Sequence, residues 1–527
     1  MKTRIFILYT GGTIGMAPKE DEDPFSPLVT KPLGELLAYV PGFDLDAAAD
    51  EKRFKSEEAQ ALARDNKKRA RENRIAFLET DNSNVIEFGS GSFEDPVDSS
   101  NLAPKDWERM ATMIEAAYDQ YDGFIILHGT DTMAFTSSAL SFMFENLGKP
   151  VVITGSQLPI ADKRTDAVMN FVNAIHVAGY KATDLPLIPE VVIVFADRII
   201  RGCRASKTSS KNWAGFDSPN FPLLGRIGEH IVIETKHLLP APSSNKKFFV
   251  KMDLDDRVFN VSIFPGFSDP QMGKIFLDGE TSGIVIRSYG TGNVPGNPDF
   301  LNAIEKAVQS GRLIVNISQC TEGTIEMGLY EASSGLLERG VLSGLDMTPE
   351  AALTKLMWTL GTQFDQGRVT QMQIAQRGEQ TENLFDLRFG SLDEKKAKNL
   401  YVNSVSPDGR LDRDRISRAM LRISDLGCPE AEDGDHVRVR VFMNMPRADH
   451  DTPDTEERRI VDIEFGHDAQ KPVKTQMRNV TYKAQSVIGS GDVILTLVAE
   501  RKPKQGGAYE PTPIFFRGLF AAIYAEA

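Results

Sequence analysis

The chain has 527 residues, 41% hydrophobic and 25% charged, the profile of a globular protein with room for two to four domains. Its formal charge of −14 argues against a general nucleic-acid binder, and no segment is long and apolar enough to span a membrane. Cys203, Cys320 and Cys428 lie far apart, without metal-ligand spacing or a disulfide framework; with a leading apolar run too short for a signal peptide, they predict a cytoplasmic protein.

In chain order, strand signals fall at 4–9, 124–128, 151–154 and 191–195, with helical periodicity between them at 104–118, 133–147 and 164–178. This alternation predicts a mostly parallel sheet covered by helices. A proline-containing stretch, Leu239-Pro240-Ala241-Pro242-Ser243-Ser244, reads as a linker. A second α/β unit follows, with strands near 258–264, 283–287 and 313–317 and helices near 298–309, 349–363 and 369–376. Beyond about residue 385 the pattern changes to alternating apolar and polar residues at 436–441, 461–465, 480–484 and 492–499, with 515–524 a last strand or helix. Turns rich in Gly, Asp and Pro separate these runs, as in a small β-rich domain of sandwich type. The expected domains are 1–238, a linker at 239–250, 251–384 and 385–527. A stretch at 46–79, crowded with Glu, Lys, Arg and Ala, reads as a charged helical insertion; acidic neighbours make its basic cluster at 67–71 a solvated helix face.

Two turns carry the chemistry. Thr10-Gly11-Gly12-Thr13-Ile14-Gly15 follows the first strand, and His128-Gly129-Thr130-Asp131-Thr132 follows the strand at 124–128. Both put threonines just past the carboxyl end of a buried strand, where ligand crevices form in open α/β sheets. A threonine hydroxyl needs a base or cation to become a nucleophile, and attack on an amide needs donors for the oxyanion, which a glycine turn supplies through its backbone. The first turn lacks the G-x-G-x-x-G spacing of a dinucleotide site. In the second, Thr130 or Asp131 is also a candidate cap for the helix that follows. Lys207 closes the run from Arg198; were it packed beside Thr130 and Asp131, burial would favour its neutral form and the carboxylate its charged form, a balance that could leave it able to accept a proton. His128, between an apolar run and a glycine, reads as a structural strand-end histidine rather than the general base.

These turns, with Asp98-Ser99-Ser100, the run from Leu147 to Gln157, Arg287-Ser288-Tyr289-Gly290, Asn316-Ile317-Ser318-Gln319-Cys320 and Asp346-Met347-Thr348, resemble the bacterial-type L-asparaginase family, particularly its cytoplasmic type I branch, over roughly residues 1–375. The resemblance implies a flavodoxin-like N-terminal domain, a smaller C-terminal α/β domain, and a homotetramer built as a dimer of dimers. It implies L-asparagine as substrate, glutaminase activity as a companion, and no metal or organic cofactor. Residue by residue, Thr13 matches the nucleophile that forms an acyl-enzyme, and Thr130, Asp131 and Lys207 match a second catalytic triad. Ser99 and Ser100 match the loop that receives the substrate α-carboxylate, Asp131 the residue that holds its α-amino group, and Asn293 a contact from a neighbouring subunit. Type I members often respond cooperatively, and Cys320 lies in a segment linked with their effector site; a free Cys at a strand end is otherwise a small buried hydrophobe.

Two departures stand out. The family's mobile loop carries a tyrosine that bonds the nucleophile, and the nearest match here is Phe25, which closes a site but donates no hydrogen bond. Tyr9 or Tyr289 supplying the hydroxyl, slow turnover and a different substrate are the open alternatives. The ordinary family also lacks residues 385–527, read here as a module for assembly or for an unknown protein partner. The rival readings are an amidohydrolase for another small amide or lactone, and a low-activity scaffold acting through that region.

Overall fold

The computed structural model describes residues 2–18, 28–30, 76–79 and 84–267, most of 273–381, and mainly strand segments between 391 and 525. Phe25 and nearly all of the charged insertion at 46–79 lie outside the described residues.

The first unit is built on β1 (Lys2–Tyr9), β2 (Ala76–Glu79), β3 (Val85–Ser92), β4 (Gly123–Leu127), β5 (Val151–Thr154), β6 (Val191–Phe195), β7 (Arg198–Arg201), β8 (Gly225–Ile227) and β9 (Ile231–Ile233). These form one sheet in the order β9-β8-β7-β6-β5-β4-β1-β3-β2. β3, β1, β4, β5 and β6 run parallel, and the strands outside them are antiparallel. Read as 2-1-3-4-5, the parallel set has the flavodoxin order, and its direction of winding reverses between β1 and β4. That reversal leaves a crevice at the carboxyl ends of these two strands, where Thr10 and His128 follow.

Helices α1 (Pro104–Ala117), α2 (Met133–Met143) and α3 (Ala167–Ala178) cover the sheet. Side chains alternate along β1: Ile5, Ile7 and Tyr9 join the core under α3, whereas Phe6 and Leu8 join the core under α1 and α2. Both faces are buried, so these strands read as continuous apolar runs. α1 begins at a proline, and Asp106 Oδ2 accepts the Ala103 N–H at 3.0 Å, satisfying a donor that the helix leaves free.

The second unit is a parallel sheet of β10 (Val258–Ser262), β11 (Gly283–Ser288), β12 (Leu313–Ser318) and β13 (Leu342–Ser343). α4 (Pro298–Gln309) packs on one face, and α5 (Pro349–Gly361) on the other. Asn297 caps α4 through the Asp299 and Phe300 N–H groups, and Thr348 caps α5 through Ala351 N–H at 3.2 Å. The units share a contact in which Phe142 of α2 stacks on Trp358 of α5 with ring centroids 5.8 Å apart.

Three local expectations are revised. The helix expected over 133–147 ends at Met143, because Phe144–Glu145 pairs as a short antiparallel strand with Phe249–Val250. The stretch read as a linker is thereby packed: Phe248 stacks on Tyr118 with centroids 3.8 Å apart. Cys320 is exposed rather than a buried strand-end residue.

The region after residue 385 is strand-rich. Lys398–Val402, Val493–Lys502, His436–Met443 and Arg459–Gly466 form one antiparallel sheet, and Gln476–Asn479, Ile416–Ser424 and Gly518–Ala525 another. Val437, Val439 and Val441 are buried, and the alternate Arg438 and Arg440 pair with Glu500, itself 1% exposed. Among the described residues no helix is long and apolar enough to cross a membrane.

Candidate active site

The first turn is shaped by glycine. Gly11 and Gly12 have φ of +120° and +90°, a region L side chains rarely adopt. A methyl on Gly11 would lie 2.3 Å from the Val97 carbonyl oxygen, and one on Gly12 would lie 2.3 Å from Cα and N of Gly129. A methyl on Gly129 would in turn meet Ser99 Oγ at 2.4 Å. Three segments therefore converge backbone to backbone: the turn carrying Thr13, the turn carrying Thr130, and the loop carrying Ser99 and Ser100.

Thr10 anchors the first turn, its N–H and Oγ1 both donating to Leu127 O, at 3.1 and 3.0 Å. Thr13 stands half-buried at the start of the short helical turn Thr13–Gly15. In the serine loop, Asp98 Oδ1 accepts both the Ser100 N–H and hydroxyl at 2.9 Å. Ser99, 3% exposed, has its Oγ 3.3 Å from the donating Asp131 N–H, and its carbonyl accepts the Thr132 hydroxyl at 2.8 Å. The loop is thus tied to the second turn.

Lys207 comes from a separate short strand, Ser206–Lys207, which pairs with Phe216–Asp217. Its Nζ donates to Thr130 Oγ1 at 2.9 Å and to Asp131 Oδ1 at 2.7 Å. Thr130 is 7% exposed and Asp131 faces solvent with its side chain 62% exposed. A hydroxyl, an amine and a carboxylate therefore share one continuous network, buried at one end and open at the other. The capping role for Thr130 or Asp131 is not adopted: Thr132 is the N-cap of α2 and makes no side-chain capping bond.

His128 is fully buried, and burial lowers its pKa to about 4, so the ring is neutral near pH 7. Its Nδ1 lies 2.6 Å from Gly129 O, which can only accept, so we assign the proton to Nδ1. Nε2 then accepts from the Thr136 hydroxyl at 2.9 Å, and that oxygen accepts from Trp107 Nε1–H at 3.0 Å. Each donor and acceptor in this Trp107–Thr136–His128–Gly129 series is paired, and the imidazole links α1, α2 and the second turn. This structural network was not legible at Trp107 or Thr136, which read only as helix-face residues.

Other residues are placed differently. Asn293 sits in the second unit, its backbone paired with Tyr289, and among the described residues no hydrogen bond joins it to the first-unit turns. Tyr9 and Tyr289 have buried hydroxyls with no hydrogen-bond partner among the described residues. Burial raises the Tyr9 pKa, keeping the phenol protonated. Among the described residues, no cluster of His, Cys, Asp and Glu is arranged to hold a metal ion.

Comparisons with known proteins bear on the family. Residues 4–239 match the family domain described as Asparaginase, N-terminal, and residues 257–372 match the Glutaminase/Asparaginase C-terminal domain. The chain is 37% identical over 364 residues to L-asparaginase 1 of Escherichia coli K12, covering 69% of this chain and 94% of that protein. It is 32% identical over 444 residues to the 60 kDa lysophospholipase of Homo sapiens, covering 84% of this chain and 72% of that one. The crystal structure of L-asparaginase I from Vibrio cholerae superposes with a TM-score of 0.57 at 35% identity, covering 72% of this chain and all of that one (100%). The chain therefore belongs to the asparaginase family and carries both of its domains.

Proposed function

We propose that this protein hydrolyses L-asparagine to L-aspartate and ammonia through a threonine acyl-enzyme. The observation that carries the reading is the Thr130–Lys207–Asp131 network, set at the switch point of the sheet against the turn that bears Thr13. In this reading Thr13 Oγ attacks the side-chain amide carbon, and backbone N–H groups of the glycine turn stabilise the oxyanion. Collapse releases ammonia and leaves an ester, which water then cleaves to free aspartate. Thr130 and Lys207 move the proton that activates the nucleophile or the water, and Asp131 holds the substrate ammonium. Ser99 and Ser100 receive its α-carboxylate.

Glutamine differs by one methylene, which a pocket discriminates by only about 1–3 kcal/mol, so the reading includes weaker glutaminase activity. The same reading places the enzyme in the cytoplasm as a dimer of dimers, with Asn293 serving a neighbour's site and a cooperative response to substrate. It divides the chain at 239–250 and near 385, and gives 385–527 an assembly or partner-binding role. The test is ammonia release from purified enzyme: Thr13→Ala should abolish turnover of L-asparagine, and Lys207→Ala should cut it to a small residual rate, while the fold is kept. Wild-type turnover in either variant would sink the assignment of that residue.

A further inference from the structure

Lysine is a poor candidate for precise placement by itself. Its ammonium sits on a flexible four-carbon stem, yet Nζ here meets two acceptors at once. Something must fix the backbone that carries it.

Lys207 lies three residues after Arg204, which ends the short helical turn Gly202–Arg204. Arg204 is 2% exposed, and its guanidinium spans two parts of the second unit. Its Nε donates to Gly378 O at 2.7 Å and its Nη1 to Asp346 Oδ2 at 2.8 Å. Gly378 belongs to a strap, residues 376–381, that lies beyond the matched C-terminal family domain. The strap is fixed in its turn: Thr381 N–H donates to Asp346 Oδ1 at 2.6 Å, and Glu379 pairs with the buried Lys355. Next to Lys207, the Ser206 hydroxyl donates to Glu350 Oε1 of α5 at 2.8 Å. The segment that delivers the amine to a first-unit site is therefore held by second-unit side chains and backbone in addition to its first-unit pairing with Phe216–Asp217.

We propose that Arg204 is a positioning residue for Lys207, gripped by the strap at 376–381 and by Asp346. The proposal rests on the catalytic reading of Lys207. A guanidinium reaches both acceptors through its planar fork; a lysine in its place offers a point charge that holds one of them. Released from one anchor, the 204–207 segment shifts and Nζ loses its alignment with Thr130. Ser99 and Ser100, assigned to the α-carboxylate, lie on another segment, and Asp131, though bonded to Lys207, is also tied to Ser99 through its N–H, so the loss falls more on kcat than on KM.

The test is a double-mutant cycle on the full chain, reading kcat and KM for L-asparagine. Arg204→Lys should lower kcat by about 10- to 100-fold, the effect of a misplacement on the ångström scale, with little change in KM. Combined with Lys207→Ala, it should lower the residual kcat no further. Ser206→Ala, a milder loosening of the same segment, repeats the cycle should Arg204→Lys fail to fold. Losses that simply multiply in the Lys207→Ala background, or wild-type kcat in both single variants, would overturn the proposal. Unchanged turnover in Lys207→Ala itself would overturn the catalytic reading beneath it, an outcome distinct from either.

Discussion

Replacing Gly12 by alanine tests whether the two threonine turns work as one site. The added methyl would stand 2.3 Å from Cα and N of Gly129, where ordinary contact needs at least about 3.4 Å, so the turns must part by about 1 Å. The backbone adds to this: at φ +90° and ψ 175° Gly12 occupies a region nearly reserved for glycine, and a side chain there costs about 1–3 kcal/mol. The strain lowers stability modestly, but the displacement acts directly on the distance between Thr13 and Thr130. A misplacement of about 1 Å costs on the order of 100-fold in rate. We expect Gly12→Ala to fold with a lowered Tm and to lose about 100-fold in kcat, measured by ammonia release at saturating L-asparagine. Gly296→Ala is the control, since a methyl there meets nothing within 4 Å. Wild-type kcat in Gly12→Ala would refute the contact between the turns as a determinant of catalysis.

Further outcomes follow from the buried charges. His128→Gln should lower activity far less than Thr13→Ala, because the imidazole completes a hydrogen-bond chain and is not the base; comparable losses would show the base to be misassigned. His128 also predicts acid sensitivity. Neutral in both states above about pH 6.5, it is protonated only in the unfolded chain as pH falls toward about 4, and up to about 3 kcal/mol of stability disappears across that window. Denaturant titrations at pH 7 and 4.5 should show a smaller drop in His128→Gln than in the wild type; equal drops would argue against a depressed imidazole. Lys355 and Glu379 pair with both side chains fully buried, at 0% exposure. Glu379→Gln should cost about 3–5 kcal/mol by leaving the buried ammonium without a counter-charge, although Met372 O and Gln380 Oε1 still accept from it, and adding Lys355→Met should recover much of it; no recovery would mean the pair is not the reason.

Much of the catalytic unit was legible because its strands are buried on both faces. Phe124–Leu127 and Val191–Phe195 read as unbroken apolar runs, and a glycine turn after such a strand marks a switch-point crevice. What the sequence hid is long-range. Nothing in the run from Arg198 to Lys207 says that its last residue meets Thr130, 77 positions earlier, or that Arg204 closes on Asp346 and Gly378. The prolines at 240 and 242 read as a linker, but Phe248 then stacks on Tyr118 and Phe249–Val250 pairs with Phe144–Glu145, contacts that composition does not announce. In the strand-rich region alternation revealed His436–Met443, whereas Ile416–Ser424, with Arg418 and Arg422 four apart, offers a helical period as readily as a strand one and was not singled out.

The proposed chemistry depends first on Thr13 carrying amide hydrolysis of L-asparagine at this site. The direct measurement is ammonia release across a wide range of L-asparagine concentration, with L-glutamine in parallel and Thr13→Ala as control. Saturable release from asparagine is expected, with weaker release from glutamine and none from the variant, and a sigmoidal curve if the enzyme responds cooperatively. Release no greater than that of Thr13→Ala would contradict it, and would turn attention to Phe25 and to a different amide.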